Sequence, residues 1–245
     1  RPYPLTPMLY HLLQWMQEQR WLPINLFEYV TFRAAVALVT ALLLSLAFGP
    51  RVIAILRLLK AGQPIRSVTI KDAPDLAQMH GKKAGTPTMG GVLIVGSLII
   101  PTLLWCDLLS PIVWLVILVT FAFASIGFLD DYLKITKRNA DGLSARGKLI
   151  GQAVIGLAVG AYLYFYGRAE YSWFESSTRV GPIHGYGYVL LPFIEQWYFP
   201  IGIGFIFFVM VVLVASSNAV NLTDGLDGLC IGISSVVALA FGLVA

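Results

Sequence analysis

Six apolar runs, at 29–48, 89–106, 112–129, 149–167, 199–217 and 226–245, constrain this chain more than any other feature. Each approaches the length an α-helix needs to cross the hydrocarbon core of a bilayer, about 20 residues at about 1.5 Å of rise. Backbone amides in lipid must bond within their own helix or a closed barrel. The sequence therefore predicts an all-α polytopic integral membrane protein with six transmembrane helices. Composition agrees: 58% of residues are hydrophobic and only 12% charged, about half the charged share of a soluble domain. The run at 112–129 has no charge at all. Arg33 lies near one end of the first run, where its long side chain can snorkel to the interface.

The net charge of +4 would hint at nucleic acid in a soluble protein. Here the cations gather in two stretches between apolar runs, which speaks for membrane orientation and against a nucleic-acid partner. Seven Lys and Arg fall within 51–83 and five within 134–148, against none between the second and third runs. The positive-inside rule makes 51–86 and 130–148 cytoplasmic basic loops and puts the N-terminus outside. By parity the junction near residue 220 is cytoplasmic and 168–200 is an external loop. Within that loop, Gly-Pro-Ile-His-Gly-Tyr-Gly at 181–187, flanked by β-branched and aromatic residues, is a hairpin signal. His80 and His184 read as surface loop histidines.

The whole of 1–245 reads as a single membrane domain. Residues 5–21 mix Leu, Met and Trp with Gln, Glu and Arg; they are too polar to span and fit an interfacial helix or a disordered end. No cleavable signal peptide is visible. The chain starts at Arg1 without a methionine and stops at Ala245 inside an apolar run, so it is expected to be incomplete. Cys106 and Cys230 fall at opposite membrane faces, and no CxxC or CxxH spacing indicates structural zinc. Gly151, Gly156, Gly160, Gly202, Gly204 and Gly232 suit close helix packing.

Three polar clusters interrupt the apolar pattern, and all fall on the side assigned as cytoplasmic from Lys and Arg alone. The first, Lys82 to Gly91, enters the second run through Thr86-Pro87-Thr88, a helix-start pattern whose free N–H groups favour an anion. A plain helix start with interfacial lysines would look the same. The second, Asp130-Asp131-Tyr132-Leu133-Lys134, closes the third run. Carboxylates there oppose the helix dipole beside lipid, an expensive place for charge. Neighbouring positions are about 100° apart on a helix, so the two aim differently. One can hold Mg²⁺, which favours one or two carboxylates with phosphate oxygens and water, while the other serves as base or support. An interfacial acidic pair matched to Lys134 and Lys137 is the plainer alternative. The third, Asn218 to Leu229, holds Asn218, Asn221, Thr223, Asp224 and Asp227 with Gly225 and Gly228 and leaves almost no loop. Asp224 and Asp227 share a face on helical geometry, and carboxylates here could accept from a ribose or a base N–H. A simple interhelical turn rarely needs so many amide and carboxylate side chains. Lys134, Lys137, Arg138, Arg146 and Lys148 could neutralise a pyrophosphate.

Together the clusters resemble the polyprenyl-phosphate N-acetylhexosamine-1-phosphate transferase superfamily. Gly-Thr-Pro-Thr-Met-Gly-Gly at 85–91 and Asn-Leu-Thr-Asp-Gly-Leu-Asp-Gly at 221–228 look like its phospho-N-acetylmuramoyl-pentapeptide transferase family. The resemblance runs from about Asn25 to Ala245. It implies a ten-helix fold in the bacterial inner (cytoplasmic) membrane, a cytoplasmic active site and a homodimer. It implies transfer of phospho-MurNAc-pentapeptide from UDP-MurNAc-pentapeptide to undecaprenyl phosphate, giving lipid I and UMP in peptidoglycan biosynthesis, with Mg²⁺ on the diphosphate. By motif position Asp130 and Asp131 match the family's acidic pair, Lys83, Gly225, Leu226 and Asp227 its uridine-binding positions, and Asn221 and Asp224 the polar lining of its nucleotide site. Asp130, Asp131 and Asp224 are the candidate catalytic residues, Thr88, Lys134, Arg138 and Asn218 join the candidate substrate-binding residues, and Asp131 is a candidate metal ligand. The family's main metal-binding Asp and its His-rich motif have no counterpart here, so this polypeptide alone is expected to be inactive. A GlcNAc-1-phosphate transferase of the same superfamily is the near alternative. A secondary transporter also uses broken helices and intramembrane carboxylates, but near mid-bilayer rather than at one face. A purely structural membrane fragment is the third.

Overall fold

The computed structural model describes residues 29–58, 89–137, 142–166, 188–190, 198–224 and 228–244. Among them are six helices: α1 (Val30–Leu58), α2 (Gly91–Trp105), α3 (Pro111–Lys137), α4 (Ala145–Tyr166), α5 (Gly204–Thr223) and α6 (Leu229–Val244). Four of these, α1, α3, α4 and α5, are long and apolar enough to cross a membrane, and α2 and α6 are shorter apolar helices. The protein is an all-helical polytopic membrane protein, as the six runs predict. Its surface says the same. Among the described residues few apolar side chains are buried, Leu56, Pro101 and Phe205, while Leu38, Leu118, Phe121 and Phe241 stand more than half exposed. Such a surface suits helices set in lipid.

The chain falls into two compact units, Arg1–Ser144 and Ala145–Ala245. In the first, α1 packs on α2 and α2 on α3. The methylene-free backbone at Gly49 faces Leu93, where an added Cβ would come 3.6 Å from its Cδ2. The Trp105 indole N–H donates to the Thr40 hydroxyl at 3.1 Å, and that hydroxyl donates back to the Val36 carbonyl at 2.7 Å. Two polar groups in an apolar layer thus satisfy one another.

In the second unit, α4 and α5 pack along a face set by two glycines one helical turn apart. A Cβ at Gly156 would lie 2.8 Å from the Met210 Cα, and one at Gly160 would lie 2.7 Å from the Ile206 carbonyl oxygen. Those glycines bear out the packing expectation. Gly202 and Gly232 do not, since a Cβ there would meet nothing within 4 Å.

Several boundaries differ from the sequence reading. The first helix runs ten residues past Phe48, and the third runs past Leu129 to Lys137, so Asp130 and Asp131 lie inside a helix rather than at its end. Polar side chains extend both: Arg51 donates to the Ala47 carbonyl, and the Thr136 hydroxyl donates to that of Tyr132. Residues 51–58 and 130–137 of the two basic stretches are therefore helix; 59–86 lie outside the described residues. The fifth run starts later than expected, because 198–200 pairs as a strand, and it ends later, at Thr223. That strand, β2 (Tyr198–Pro200), is antiparallel to β1 (Tyr188–Leu190), with Val189 opposite Phe199. The expected hairpin turn at 181–187 lies outside the described residues, as do 5–21, 59–88 and His184.

Candidate functional site

The first unit assembles a polar cluster from three places in the chain. Asp130 and Asp131 are consecutive on α3, and Lys134 follows at the i+4 and i+3 positions that share a helix face. Its ammonium lies 2.7 Å from Asp130 Oδ2 and 3.4 Å from Asp131 Oδ1, so one cation spans both carboxylates. The 100° offset then sends the remaining oxygens in different directions. Asp130 Oδ1 accepts from the Leu143 backbone N–H at 2.8 Å. Asp131 Oδ2 accepts from the Met89 backbone N–H at 3.2 Å.

Both amides come from special backbone. Met89 has φ 71, the one positive value at a described non-glycine residue. That conformation costs an L-residue about 1–2 kcal/mol. A hydrogen bond to a charged acceptor contributes about 1.5–3 kcal/mol, enough to offset it. After Met89 the chain enters α2 through tight turns, with Val92 N–H on the Met89 carbonyl and Leu93 N–H on that of Gly90. The helix begins at Gly91, later than the Thr-Pro-Thr pattern predicts. The anion expected near this helix start is the chain's own Asp131. On the other side, Gly142 has φ 54, and a Cβ there would collide with Asp130 Oδ1 and the Lys134 stem. Only glycine lets residues 142–143 lie flat on the acidic pair.

The two carboxylates are not equivalent. Both are bonded through both oxygens, but Asp130 is only 7% exposed. The Asp131 side chain keeps 29% exposure. Among the described residues no three His, Cys, Asp or Glu side chains converge on a metal position. Asp131 nevertheless fits Mg²⁺, which takes one or two carboxylates and completes its shell with phosphate oxygens and water. Asp130 does not fit as a ligand in this arrangement.

The second unit carries the amide-rich cluster on the last turns of α5. Asn218 and Asn221 are helical, and Asp224 caps the helix with φ −74. Asn221 and Asp224 are exposed. The helix ends at Thr223, whose hydroxyl donates to the Ala219 carbonyl at 2.5 Å. Asn218 faces inward instead: its amide donates to Gln152 Oε1 at 2.7 Å and to the Val214 carbonyl at 2.8 Å. Gln152 is 7% exposed and donates in turn to the Ser217 hydroxyl at 3.2 Å. Lys83, Thr88, Arg138, Gly225, Leu226 and Asp227 lie outside the described residues.

Sequence reasoning missed the Met89 and Leu143 amides, since backbone donors leave no trace in a pattern of side chains. It also passed over Gln152. The signal was there, a lone amide inside an apolar run, four residues before Gly156.

The comparisons with known proteins follow this geometry. The description "Glycosyl transferase family 4" matches residues 113–245, which include Asp130, Asp131 and the Asn218–Asp224 cluster. The "Phospho-N-acetylmuramoyl-pentapeptide-transferase signature 1" matches 83–95, the segment whose Met89 amide meets Asp131. The chain is 45% identical over 239 residues to a phospho-N-acetylmuramoyl-pentapeptide-transferase of Granulibacter bethesdensis (strain ATCC BAA-1260 / CGDNIH1). That alignment covers 97% of this chain and 60% of the relative, so the chain spans less than two thirds of that protein's length. With a match over more than half its residues and a relative this similar, the chain belongs to glycosyl transferase family 4.

Proposed function

We propose that the protein transfers phospho-MurNAc-pentapeptide from its UDP donor to undecaprenyl phosphate, forming lipid I and UMP. The observation that carries this reading is the Met89 N–H on Asp131, which joins the signature segment to the acidic pair. In the reaction an oxygen of the lipid phosphate attacks the β-phosphorus of the donor. The bond from that phosphorus to the bridging oxygen breaks, and UMP leaves with the electron pair. Bound Mg²⁺ would supply charge neutralisation on the diphosphate. Asp131, the more exposed carboxylate, would hold it; Lys134 and Leu143 N–H fix Asp130 beside it. Asn221 and Asp224 are the exposed polar groups offered to the nucleotide, with Lys83, Thr88, Gly225, Leu226 and Asp227 added by motif position and Arg138 by its charge. The site would face the cytoplasm across the bacterial inner membrane, and the family resemblance supports a homodimer.

The test is lipid I formation by the full-length protein, with and without Mg²⁺. Metal-dependent product that is lost in a folded Asp131→Asn variant is expected. Turnover with UDP-GlcNAc and none with the muramyl donor would move the protein to the sister activity of the superfamily.

A further inference from the structure

We propose that Gln152 is a positioning residue that fixes the rotation of α5 and thereby the aim of Asn221 and Asp224. The inference rests on the nucleotide-binding role given to those two residues above.

The second unit shows three linked observations. First, Gly156 and Gly160 bring α4 against α5 at the Met210 Cα, Cβ and Cγ and at the Ile206 backbone. That contact fixes the distance between the helices but holds no directional bond, so it resists rotation of α5 weakly. Second, Gln152 continues the same face of α4 one turn further on, at four residues before Gly156. There it is buried, and its amide is bonded at both ends: Oε1 accepts from Asn218, and Nε2 donates to Ser217. Two directional bonds to adjacent α5 residues, about 100° apart around the axis, admit one helical phase. Third, Ser217, Asn221 and Asp224 follow at i, i+4 and i+7, which is one face of a helix. Fixing the phase at 217–218 therefore fixes where Asn221 and the cap residue Asp224 are presented. An amide in an apolar layer is otherwise a liability, since an unpaired polar group there is costly. Asn218, expected from its polar cluster to bind substrate, is in this arrangement part of the clamp.

The test uses the full-length protein in nanodiscs, with Gln152→Leu, Ser217→Ala and the exchanged pair Gln152→Asn with Asn218→Gln. Michaelis constants are measured separately for UDP-MurNAc-pentapeptide and undecaprenyl phosphate. Gln152→Leu is expected to raise the donor constant by on the order of tenfold while leaving the lipid constant near wild type. The exchanged pair, which restores an amide–amide bond, should recover most of the loss. A merely structural role would move both constants together or neither. Wild-type donor binding in a folded Gln152→Leu protein overturns the proposal. If that variant does not fold, an unchanged donor constant in Ser217→Ala overturns it instead. A nitroxide at Leu222→Cys, with Cys106 and Cys230 replaced by Ala, reads the phase without turnover. Its spectrum should change in Gln152→Leu, and an unchanged spectrum also refutes the clamp. Loss of turnover in the wild type with a normal nitroxide response would sink the functional reading alone.

Discussion

Substituting alanine at Gly142 tests the acidic cluster without touching either carboxylate. Two effects add. The residue has φ 54, which costs an L-residue about 1–2 kcal/mol. Its new methyl group would also strike Asp130 Oδ1 and the Lys134 stem. The lysine chain can swing aside, but Asp130 is buried and tied to Leu143 N–H, so the backbone at 142–143 must lift. Losing a hydrogen bond to a charged acceptor costs about 1.5–3 kcal/mol. The total comes to about 2.5–5 kcal/mol. Gly202 provides the control: it has φ 51 with nothing within 4 Å of an added Cβ, so Gly202→Ala should show the backbone cost alone. Thermal unfolding of the purified variants in one detergent measures both, at roughly 2–4 °C per kcal/mol. Gly142→Ala should fall well below Gly202→Ala, by about 3–12 °C. Equal midpoints would mean that residues 142–143 do not rest on Asp130.

Three further outcomes follow from the same geometry. Lys134→Met removes the ammonium that bonds the buried Asp130 carboxylate at 2.7 Å, and a loss of about 3–5 kcal/mol is expected in denaturant unfolding. A loss under about 1 kcal/mol would show that Asp130 is compensated elsewhere. Met89→Val forces a β-branched residue into a left-handed conformation and should cost about 1–3 kcal/mol by thermal unfolding, whereas Met89→Gly should be near neutral. Gly160→Ala, with its Cβ against the Ile206 backbone, should destabilise by about 1–3 kcal/mol; Gly232→Ala, in open space, should be neutral or slightly stabilising in the same assay.

The apolar runs made the helices legible because bilayer thickness, not tertiary context, sets their length. Their ends were less legible. Hydropathy falls at Asp130 and at Asn218, but polar side chains continue both helices by bonding to carbonyls one turn back or to a neighbouring helix. The acidic pair and its lysine could be seen from i+3 and i+4 spacing. The amides that orient the pair could not, since they arise from positive φ at Met89 and Gly142, a property of the folded turns. Gly156 and Gly160 were legible as packing residues, whereas Gln152, a lone amide in an apolar run, takes its meaning only from Ser217 and Asn218 opposite it.

The glycine contact between α4 and α5 also sets a mechanical limit. Below Gln152 the end of α5 is a cantilever: from Asn218 to Asp224 it reaches about 9 Å. A tilt of about 10° at its root would carry the Asp224 backbone about 1.6 Å along an arc. Displacements of about 1 Å in a reacting constellation can cost as much as 100-fold in rate. With the Met210 and Ile206 backbone already against bare glycine, no compressible layer remains to absorb such a tilt. Motion of the polar tip of α5 must therefore either carry α4 with it or bend the chain beyond residue 218.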